Sequence, residues 1–516
     1  MSFDYIVVGA GSAGSIIASR LTEDSNVNVL LLEAGNDYED FDSLPDGVKN
    51  SYFSASEDVL SSEHNWGYVA KGTRKYLDMP VPRGKVTGGS SAINAQIFLR
   101  GEADDYDRWA KWGSDEWSYE KCLPYFRKLE TDTDIQDDFH GTEGPIVASR
   151  FKPEEWTKEQ AAFRQACLDY GFPETHDHNN PNSTGIGALT FNSTMGVRVS
   201  TAMGHLNQAR DRDNLTIMPN SLIRKVIFNG KKATGVEVEQ NDEIKIYEAP
   251  EIIISAGAVA SPQILLLSGV GPQEHLEEMG IPVVHSLPGV GKNLRDHPVV
   301  FLTWNTKGED HEIPPVGFQF ACRYTAEGSD LRNDMMIVLA SVGIGHVRDT
   351  GFTDAPAGFT MICHLYLALS QGELHLQSTD PKVQPFLDHN MLDHEFDRTR
   401  VREQLRISLE LAKTPQMSEF LGELRSPTWD DLSSNEKMDD WILREATTGH
   451  HISGTCKMGP YDDGMAVVNQ YGRVHGLQGI RVADASIMPD CIRANTNVPT
   501  MMIGERMSDL IKFSAN

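Results

Sequence analysis

Three glycines and one acidic residue near the start of the chain have the types and spacing that bind a dinucleotide. The glycines are Gly9, Gly11 and Gly14, and Glu33 follows 19 residues after the last of them. Gly9 permits a tight turn, Gly11 lets the backbone approach a pyrophosphate, and Gly14 lets a helix pack closely on a sheet. A carboxylate placed like Glu33 accepts hydrogen bonds from both ribose hydroxyls. The pattern predicts a site for an ADP-containing cofactor and leaves NAD and FAD open.

The residues around these glycines predict the elements that position them. Apolar runs at residues 3–8 and 28–32 are typical of buried strands, and Ala18 and Leu21 continue an apolar helix face between them. The helix start offers free N–H groups and a positive dipole end to phosphates. We therefore expect a βαβ unit that runs to about residue 35.

The composition of the chain excludes several classes of function. Its 516 residues and 40% hydrophobic content predict two domains. The formal net charge of −28 argues against nucleic acid and against an anionic membrane surface as partner. The same charge makes an anionic substrate unfavourable unless Arg or Lys side chains line the pocket.

Cysteine spacing and hydropathy give further expectations. The six cysteines form no CxxC pair and no metal-ligand spacing, so we expect neither disulfides nor a metal site. The sequence has no apolar segment long enough to span a bilayer. Because the first predicted strand begins at residue 3, we expect no leader peptide and a cytoplasmic location.

Later segments predict the rest of the architecture. Helices are predicted at 104–129 and 158–170. A buried strand that starts at residue 251 breaks on Gly257 before an apolar helix at 262–267. Residues 299–440 have the pattern of alternating strands followed by an amphipathic helix. We therefore predict an α/β (α+β) fold, in which a Rossmann-like cofactor domain is interleaved with a substrate domain built on an antiparallel sheet with helices. The predicted cofactor domain is discontinuous and comprises residues 1–150, 215–298 and 445–516, and the substrate domain comprises 151–214 and 299–444.

Four separated blocks of the sequence resemble the glucose–methanol–choline (GMC) oxidoreductases, and the resemblance covers essentially the whole chain. The blocks are the glycine motif and the segments 84–94, 257–271 and 451–504. The second block departs from the family's signature at Thr87, where an aliphatic residue is usual. The bacterial choline-dehydrogenase-like and medium-chain alcohol branches are the most similar. The resemblance implies FAD as cofactor and oxidation of an alcohol as activity.

The resemblance also implies which residues contact FAD. In such enzymes Gly88, Gly89 and Ser90 line the flavin, and Asn94 lies beside its reactive edge. Together with the glycine motif, the predicted cofactor-binding residues are Gly9, Gly11, Ser12, Ala13, Gly14, Glu33, Ala34, Gly88, Gly89, Ser90, Asn94, Ala95, Val226, Ala256, Gly257, Asp484, Ala485, Asn495, Thr496 and Thr500. Some relatives attach FAD through a histidine at the position of Ile93, so we expect non-covalent FAD here.

Two residues are predicted to carry the reaction. His451 occupies the place of the family's catalytic histidine, and Asn495, 44 residues later, occupies the place of its partner. A base whose pKa lies near neutral pH must take the hydroxyl proton while hydride passes to flavin N5. We expect His451 to be that base and the Asn495 amide to stabilise the developing alkoxide.

The substrate pocket is predicted less directly. His450, Phe318, Met335 and Leu365 are expected to line it, although core packing is the alternative for the apolar ones and a structural role for His450. In the family, the loop that contains His297 lies near the substrate, and a loop cap or a structural hydrogen bond is the alternative role for this residue. Val299 stands where choline-oxidase-type enzymes carry a glutamate. We therefore expect a neutral primary alcohol, whether aliphatic, aryl or furanic.

Several alternatives stay open on the sequence. They are a choline-type dehydrogenase, a hydroxynitrile-lyase-like relative, a light-driven decarboxylase and a non-catalytic flavoprotein. The partners are expected to be a small-molecule alcohol and either O₂ or a quinone-type acceptor, and the sequence does not choose between the acceptors. It also leaves the oligomeric state open.

Overall fold

The structure is a computed structural model that describes residues 2–50, 61–194, 196–308, 317–344 and 357–514. The described strands are β1 (Tyr5–Val8), β2 (Val29–Leu32), β3 (Tyr68–Ala70), β4 (Met79–Val81), β5 (Glu130–Asp132), β6 (Ile146–Ala148), β7 (Gly185–Ala188), β8 (Ser193–Thr194), β9 (Val197–Arg198), β10 (Leu215–Met218), β11 (Leu222–Asn229), β12 (Lys232–Gln240), β13 (Glu243–Glu248), β14 (Glu251–Ile254), β15 (Val270–Gly271), β16 (His285–Ser286), β17 (Pro298–Thr306), β18 (Phe320–Tyr324), β19 (Met335–Ala340), β20 (Phe359–Leu365), β21 (Glu373–His375), β22 (Phe386–Asp388), β23 (Leu421–Ser426), β24 (Thr447–Thr448) and β25 (Ile480–Val482). The described α-helices are α1 (Gly14–Leu21), α2 (Asp46–Asn50), α3 (Ala103–Lys111), α4 (Tyr119–Leu129), α5 (Lys158–Tyr170), α6 (Thr201–Gly204), α7 (Gly257–Leu267), α8 (Gln273–Glu278), α9 (Glu395–Ala412), α10 (Pro415–Ser418), α11 (Asn435–Glu445) and α12 (Asn497–Ser514).

The strands predicted near residues 3–8, 28–32 and 251 are β1, β2 and β14, which form the centre of a five-stranded parallel sheet in the order β10-β2-β1-β14-β25. Its central strands β1, β2 and β14 are almost entirely apolar, as expected where a parallel sheet is covered on both faces. The register places Val8 beside both Leu32 and Ile254, so the three central strands end at the same level. The turns that follow them therefore open at one edge of the sheet, which is where α/β folds bind ligands.

The second large sheet is antiparallel, in the order β23-β17-β20-β19-β18-β7, with β24 paired to β17. Its side chains alternate between two faces. One face packs on helices, since the Cys363 thiol on β20 lies 3.3 Å from the Ser408 hydroxyl of α9 and α5 contacts β18. The other face is free to line a cavity.

The α/β fold class and the antiparallel second sheet are confirmed. Helix α5 has the predicted bounds, whereas the helical piece expected at 104–129 is split into α3 and α4 by a turn of 3₁₀ helix at Asp115–Trp117. The division into two domains stays a prediction. Strand β24 falls in a segment expected in the cofactor domain, yet it pairs with β17 in the antiparallel sheet. Within the described residues, no helix has both the length and the apolar character needed to cross a membrane.

Candidate active site

A cavity extends from the open edge of the parallel sheet to the free face of the antiparallel sheet. At the first end it is lined by the glycine turn, and at the other end by side chains of β17, β19 and β20. The predicted cofactor residues that line it are Gly9, Gly11, Ser12, Ala13, Glu33, Ala34, Gly89, Ser90, Asn94, Ala95, Ala256, Gly257, Asp484, Ala485, Asn495, Thr496 and Thr500. The structure thus brings together residues that are distant in sequence.

Three of the predicted cofactor residues, Gly14, Gly88 and Val226, do not line this cavity but support its wall. A Cβ on Gly14 would lie 1.9 Å from the carbonyl oxygen of Gly9, so glycine is required for α1 to pack on the turn. Gly88 has a φ of +89° and donates its N–H to the carbonyl of Ala10 over 2.7 Å. Val226 is buried and its N–H donates to the Ser268 hydroxyl.

Three helices begin at the cavity, namely α1, α7 and α12. The first N–H groups of a helix have no partner inside the helix and carry its positive dipole end. None of these three helices has an acidic residue in its first turn to neutralise that end. The cavity is therefore favourable for an anionic group such as a pyrophosphate.

The glycine turn leaves room that the described residues do not fill. A Cβ on Gly11 would meet only the Cα of Gly89 and the carbonyl oxygen of Ser255, each at 3.9 Å, and the φ of Gly11 is not positive. Neither packing nor backbone conformation explains glycine at this position. A ligand that needs close approach to the backbone does explain it.

Two amide groups at the start of α12 also point to a polar ligand. The Oδ1 atom of Asn495 and the Nδ2 atom of Asn497 are buried and have no hydrogen-bond partner among the described residues. Buried polar atoms in native proteins are nearly always hydrogen-bonded. Together with the glycine turn and the helix starts, this donor and acceptor set fits a dinucleotide cofactor.

Glu33 connects the end of β2 to the glycine turn. Its carboxylate accepts the N–H of Ala10 and the N–H of Gly35, each over 2.9 Å. Burial raises the pKa of Glu33 to about 7, against the opposing effect of these backbone donors. The carboxylate keeps further acceptor positions at the cavity for the hydroxyls of a ribose.

Four histidines cluster near the far end of the cavity, and burial lowers the pKa of each. The pKa is about 4 for His297 and for His450, and about 3 for His364. For His451, burial and then the neighbouring His297 hold the pKa well below its usual value. All four rings are therefore neutral at pH 7, and a neutral imidazole can accept a proton.

Asp296 fixes the backbone around two of these rings. Its carboxylate accepts the N–H of His297 over 2.7 Å and the N–H of His451 over 2.9 Å, together with the hydroxyl of Thr448. His389 Nδ1 lies 3.1 Å from the same carboxylate. Burial opposes ionisation, but the contacts with His389 and Thr448 keep the pKa of Asp296 well below its usual range. A fixed negative charge therefore holds the segments that carry His297 and His451.

The predicted catalytic pair, His451 and Asn495, lines the same cavity, as do His450 and Phe318 from the predicted substrate pocket. Met335 and Leu365 are not lining residues, which corrects the expectation from the sequence. They pair with each other across β19 and β20. Because side chains alternate along a strand, both lie on the face opposite to that of the lining residue His364.

His364 and Arg83 are among the cavity residues that sequence reasoning missed. His364 lies two positions after Ile362 on β20, so the period-2 pattern of that strand could have indicated it. Arg83, next to Gly84 in the second family block, has a buried Nη2 atom without a hydrogen-bond partner in the described part of the chain. Burial lowers the pKa of Arg83, and the charge of Asp296 opposes that shift. Arg83 adds positive charge to the cavity wall.

Comparisons with known proteins agree with this geometry. The N-terminal family model of GMC oxidoreductase matches residues 3–299, and the C-terminal one matches residues 368–504. The chain is 38% identical to oxygen-dependent choline dehydrogenase 1 of Chromohalobacter salexigens, over 99% of this chain and 95% of the relative. An oxygen-dependent choline dehydrogenase of Klebsiella pneumoniae is also 38% identical, over 99% and 96%.

Solved structures show the same architecture. Pyridoxine 4-oxidase from Mesorbium loti matches with a TM-score of 0.90 and 26% identity, covering all of both chains. A fungal aryl-alcohol oxidase matches with a TM-score of 0.86 at 22% identity, over 100% of this chain and 99% of that one, which is a likeness of fold.

Proposed function

Because the chain belongs to the GMC oxidoreductase family, we propose that it oxidises a neutral primary alcohol to the aldehyde with His451 as base. The family makes it an FAD-dependent oxidoreductase that acts on CH–OH donors. The observation that carries the proposal is the neutral, buried His451 in the same cavity as the glycine turn and Asn495.

The residues of the chain have distinct roles in this reaction. The glycine turn, Glu33 and the starts of α1, α7 and α12 would hold FAD, and Ile93 in the cavity wall offers no atom for a covalent link. The chemistry that bound FAD supplies is acceptance of the hydride from the alcohol carbon. His451 accepts the hydroxyl proton, and the Asn495 amide hydrogen-bonds the oxygen as it becomes negative.

The charges of the cavity support a substrate without a cationic group. Among the described residues, the carboxylates that line it are Glu33 and Asp484, and both accept backbone N–H groups near the predicted cofactor site. At the antiparallel sheet the wall is mainly apolar and includes Val299 and Phe301. A quaternary ammonium would meet the guanidinium of Arg83 without a lining carboxylate at that end, since the nearby Asp296 is not among the residues that line the cavity.

Choline is the second candidate, because curated relatives at 38% identity are named choline dehydrogenases. One experiment separates the two. The anaerobic holoenzyme is mixed with benzyl alcohol, furfuryl alcohol, 1-octanol or choline while the flavin absorbance is followed. We expect a neutral alcohol to bleach the flavin and choline to leave it unchanged. Bleaching by choline alone would contradict the proposed substrate class.

The same assay tests the base. In His451→Ala we expect flavin reduction by the best alcohol to fall by about 10² to 10⁴-fold, the usual contribution of a general base. The matched control is His176→Ala, since His176 is exposed and lies away from the cavity. Both variants should retain FAD. Near-wild-type reduction in His451→Ala would show that another group takes the proton.

The electron acceptor is proposed to be O₂ or a quinone-type compound. Admitting air to the reduced enzyme tests this, because rapid return of colour with peroxide identifies an oxidase, whereas slow return identifies another acceptor. A cytoplasmic location is also proposed, since the six cysteines are buried free thiols, as in proteins of reducing compartments. Cell fractionation tests the location.

A further inference from the structure

We propose that His297 and Cys491 form a hydrogen-bonded relay that holds His451 in the tautomer able to act as a base. The inference rests on the proposed function, which assigns the base role to His451. It makes His297 and Cys491 positioning residues, because both act through the ring of His451.

The relay consists of two short contacts in series. His297 Nδ1 lies 2.9 Å from His451 Nδ1, and His297 Nε2 lies 2.9 Å from the sulfur of Cys491. His297 and Cys491 are at most 1% exposed, whereas His451, at 7%, lines the cavity. The relay therefore leads from the cavity wall into the protein interior.

Only one hydrogen can lie between the two Nδ1 atoms, so the relay has two arrangements. In the first, His451 Nδ1–H donates to His297, and His297 carries its hydrogen on Nε2. His451 Nε2 then has a free lone pair. In the second, the Cys491 thiol donates to His297 Nε2, and His297 donates to His451. His451 then carries its hydrogen on Nε2 and has no lone pair there.

The proposed base role requires the first arrangement, because only that arrangement leaves a lone pair on His451 Nε2. The hydrogen on His297 Nε2 then needs an acceptor, and the sulfur of Cys491 lies 2.9 Å away. A thiol sulfur is a weak acceptor, which a hydroxyl can replace and an alkyl group cannot.

The rest of the shell keeps the two rings in place. Asp296 holds the backbones of His297 and His451, and Gly449 N–H donates to the carbonyl of His297 over 2.8 Å. The ring of Tyr366 packs edge-on against His297, with centroids 4.4 Å apart. When the substrate hydroxyl gives its proton to His451 Nε2, the Nδ1–H bond to His297 is unchanged, so no second proton has to move.

The test compares Cys491→Val with Cys491→Ser, which differ in whether position 491 keeps an acceptor atom. The first measurement is the tautomer of His451, taken from long-range ¹H–¹⁵N spectra of holoenzyme labelled with [¹⁵N]histidine. Its signals are identified by their loss in His451→Gln. The second measurement is the maximal rate of anaerobic flavin reduction by the best alcohol. The same titration gives the substrate concentration at which this rate is half-maximal.

In wild-type protein and Cys491→Ser we expect an unprotonated Nε2 on His451 and reduction rates within about twofold of each other. In Cys491→Val we expect a population with protonated Nε2 and a reduction rate about tenfold lower, equivalent to about 1.4 kcal/mol, with half-saturation unchanged. FAD content and melting temperature check that the variant folds. If Cys491→Val does not fold, Cys491→Ala replaces it and has the same expected result.

The inference would be overturned by a protonated Nε2 on His451 in the wild-type protein. It would also be overturned if Cys491→Val matched the wild type in both spectrum and rate. If no alcohol reduces the wild-type flavin, the proposed function fails, but the spectra still report the tautomer. If His451→Ala loses activity while Cys491→Val does not, the base assignment stands and the relay is wrong.

Discussion

The substitution Gly11→Ala is expected to separate cofactor binding from folding. A Cβ at this position would have no contact shorter than 3.9 Å with the described residues, and no positive φ is required. The apoprotein should therefore tolerate alanine. Since alanine also reduces the entropy of the unfolded chain, we expect the free energy of unfolding to be unchanged or raised by about 0.4–1 kcal/mol.

The methyl group of an alanine at position 11 would lie where the backbone must approach the cofactor pyrophosphate. We expect FAD affinity to fall by at least about 100-fold, or about 2.7 kcal/mol.

The comparison variant is Gly14→Ala, whose Cβ would lie 1.9 Å from the Gly9 carbonyl oxygen. Normal contact requires at least 3.4 Å, so the turn or α1 must shift by about 1.5 Å. Overpacking of this kind costs about 1–3 kcal/mol, and here it should destabilise the apoprotein itself.

The assay uses apoprotein stripped of flavin. Thermal unfolding of wild type, Gly11→Ala and Gly14→Ala reports the fold, and titration with FAD, followed by quenching of flavin fluorescence, reports affinity. Wild-type FAD affinity in Gly11→Ala would refute the placement of the pyrophosphate at this turn. A large loss of apoprotein stability in Gly11→Ala would refute the claim that packing leaves room there.

Two further predictions concern pH and substrate charge. The base must be neutral, and the pKa of His451 is well below 6.5. The rate of anaerobic flavin reduction should therefore be constant from pH 8 to pH 6.5 and fall only at lower pH. A pH–rate profile with its midpoint near pH 7 would contradict this expectation. Val299 lines the cavity and pairs with His364 across the sheet. Val299→Glu should therefore raise the kcat/KM ratio of choline to benzyl alcohol by about tenfold, since about 1.4 kcal/mol of new ion pairing corresponds to that factor. Val299→Gln is the uncharged control, and an equal effect of Gln would show that charge is not the cause.

The sequence predicted the cofactor end of the site well because its signals are local. A tight turn and a close approach of the backbone to a ligand both require glycine, and these glycines lie within residues 9–14. Each of them can therefore be identified from residue type alone. Helix α5 was likewise predicted within its bounds, because its pattern and its ends lie in one segment. The start of α7 was placed five residues late, since Gly257 is both the end of a turn and the first residue of the helix.

The substrate end was predicted less well because its residues meet through strand register and chain topology. Met335 and Leu365 were expected in the pocket, but register turns them to the helix side and turns His364 to the cavity side. The contact between His297 and His451 joins positions 154 residues apart, and the contact between His297 and Cys491 joins positions 194 residues apart. By itself the sequence determined the residue types that bind a dinucleotide and accept a proton. The tertiary structure decided which rings are buried together, and burial and neighbouring groups set their pKa values and tautomers.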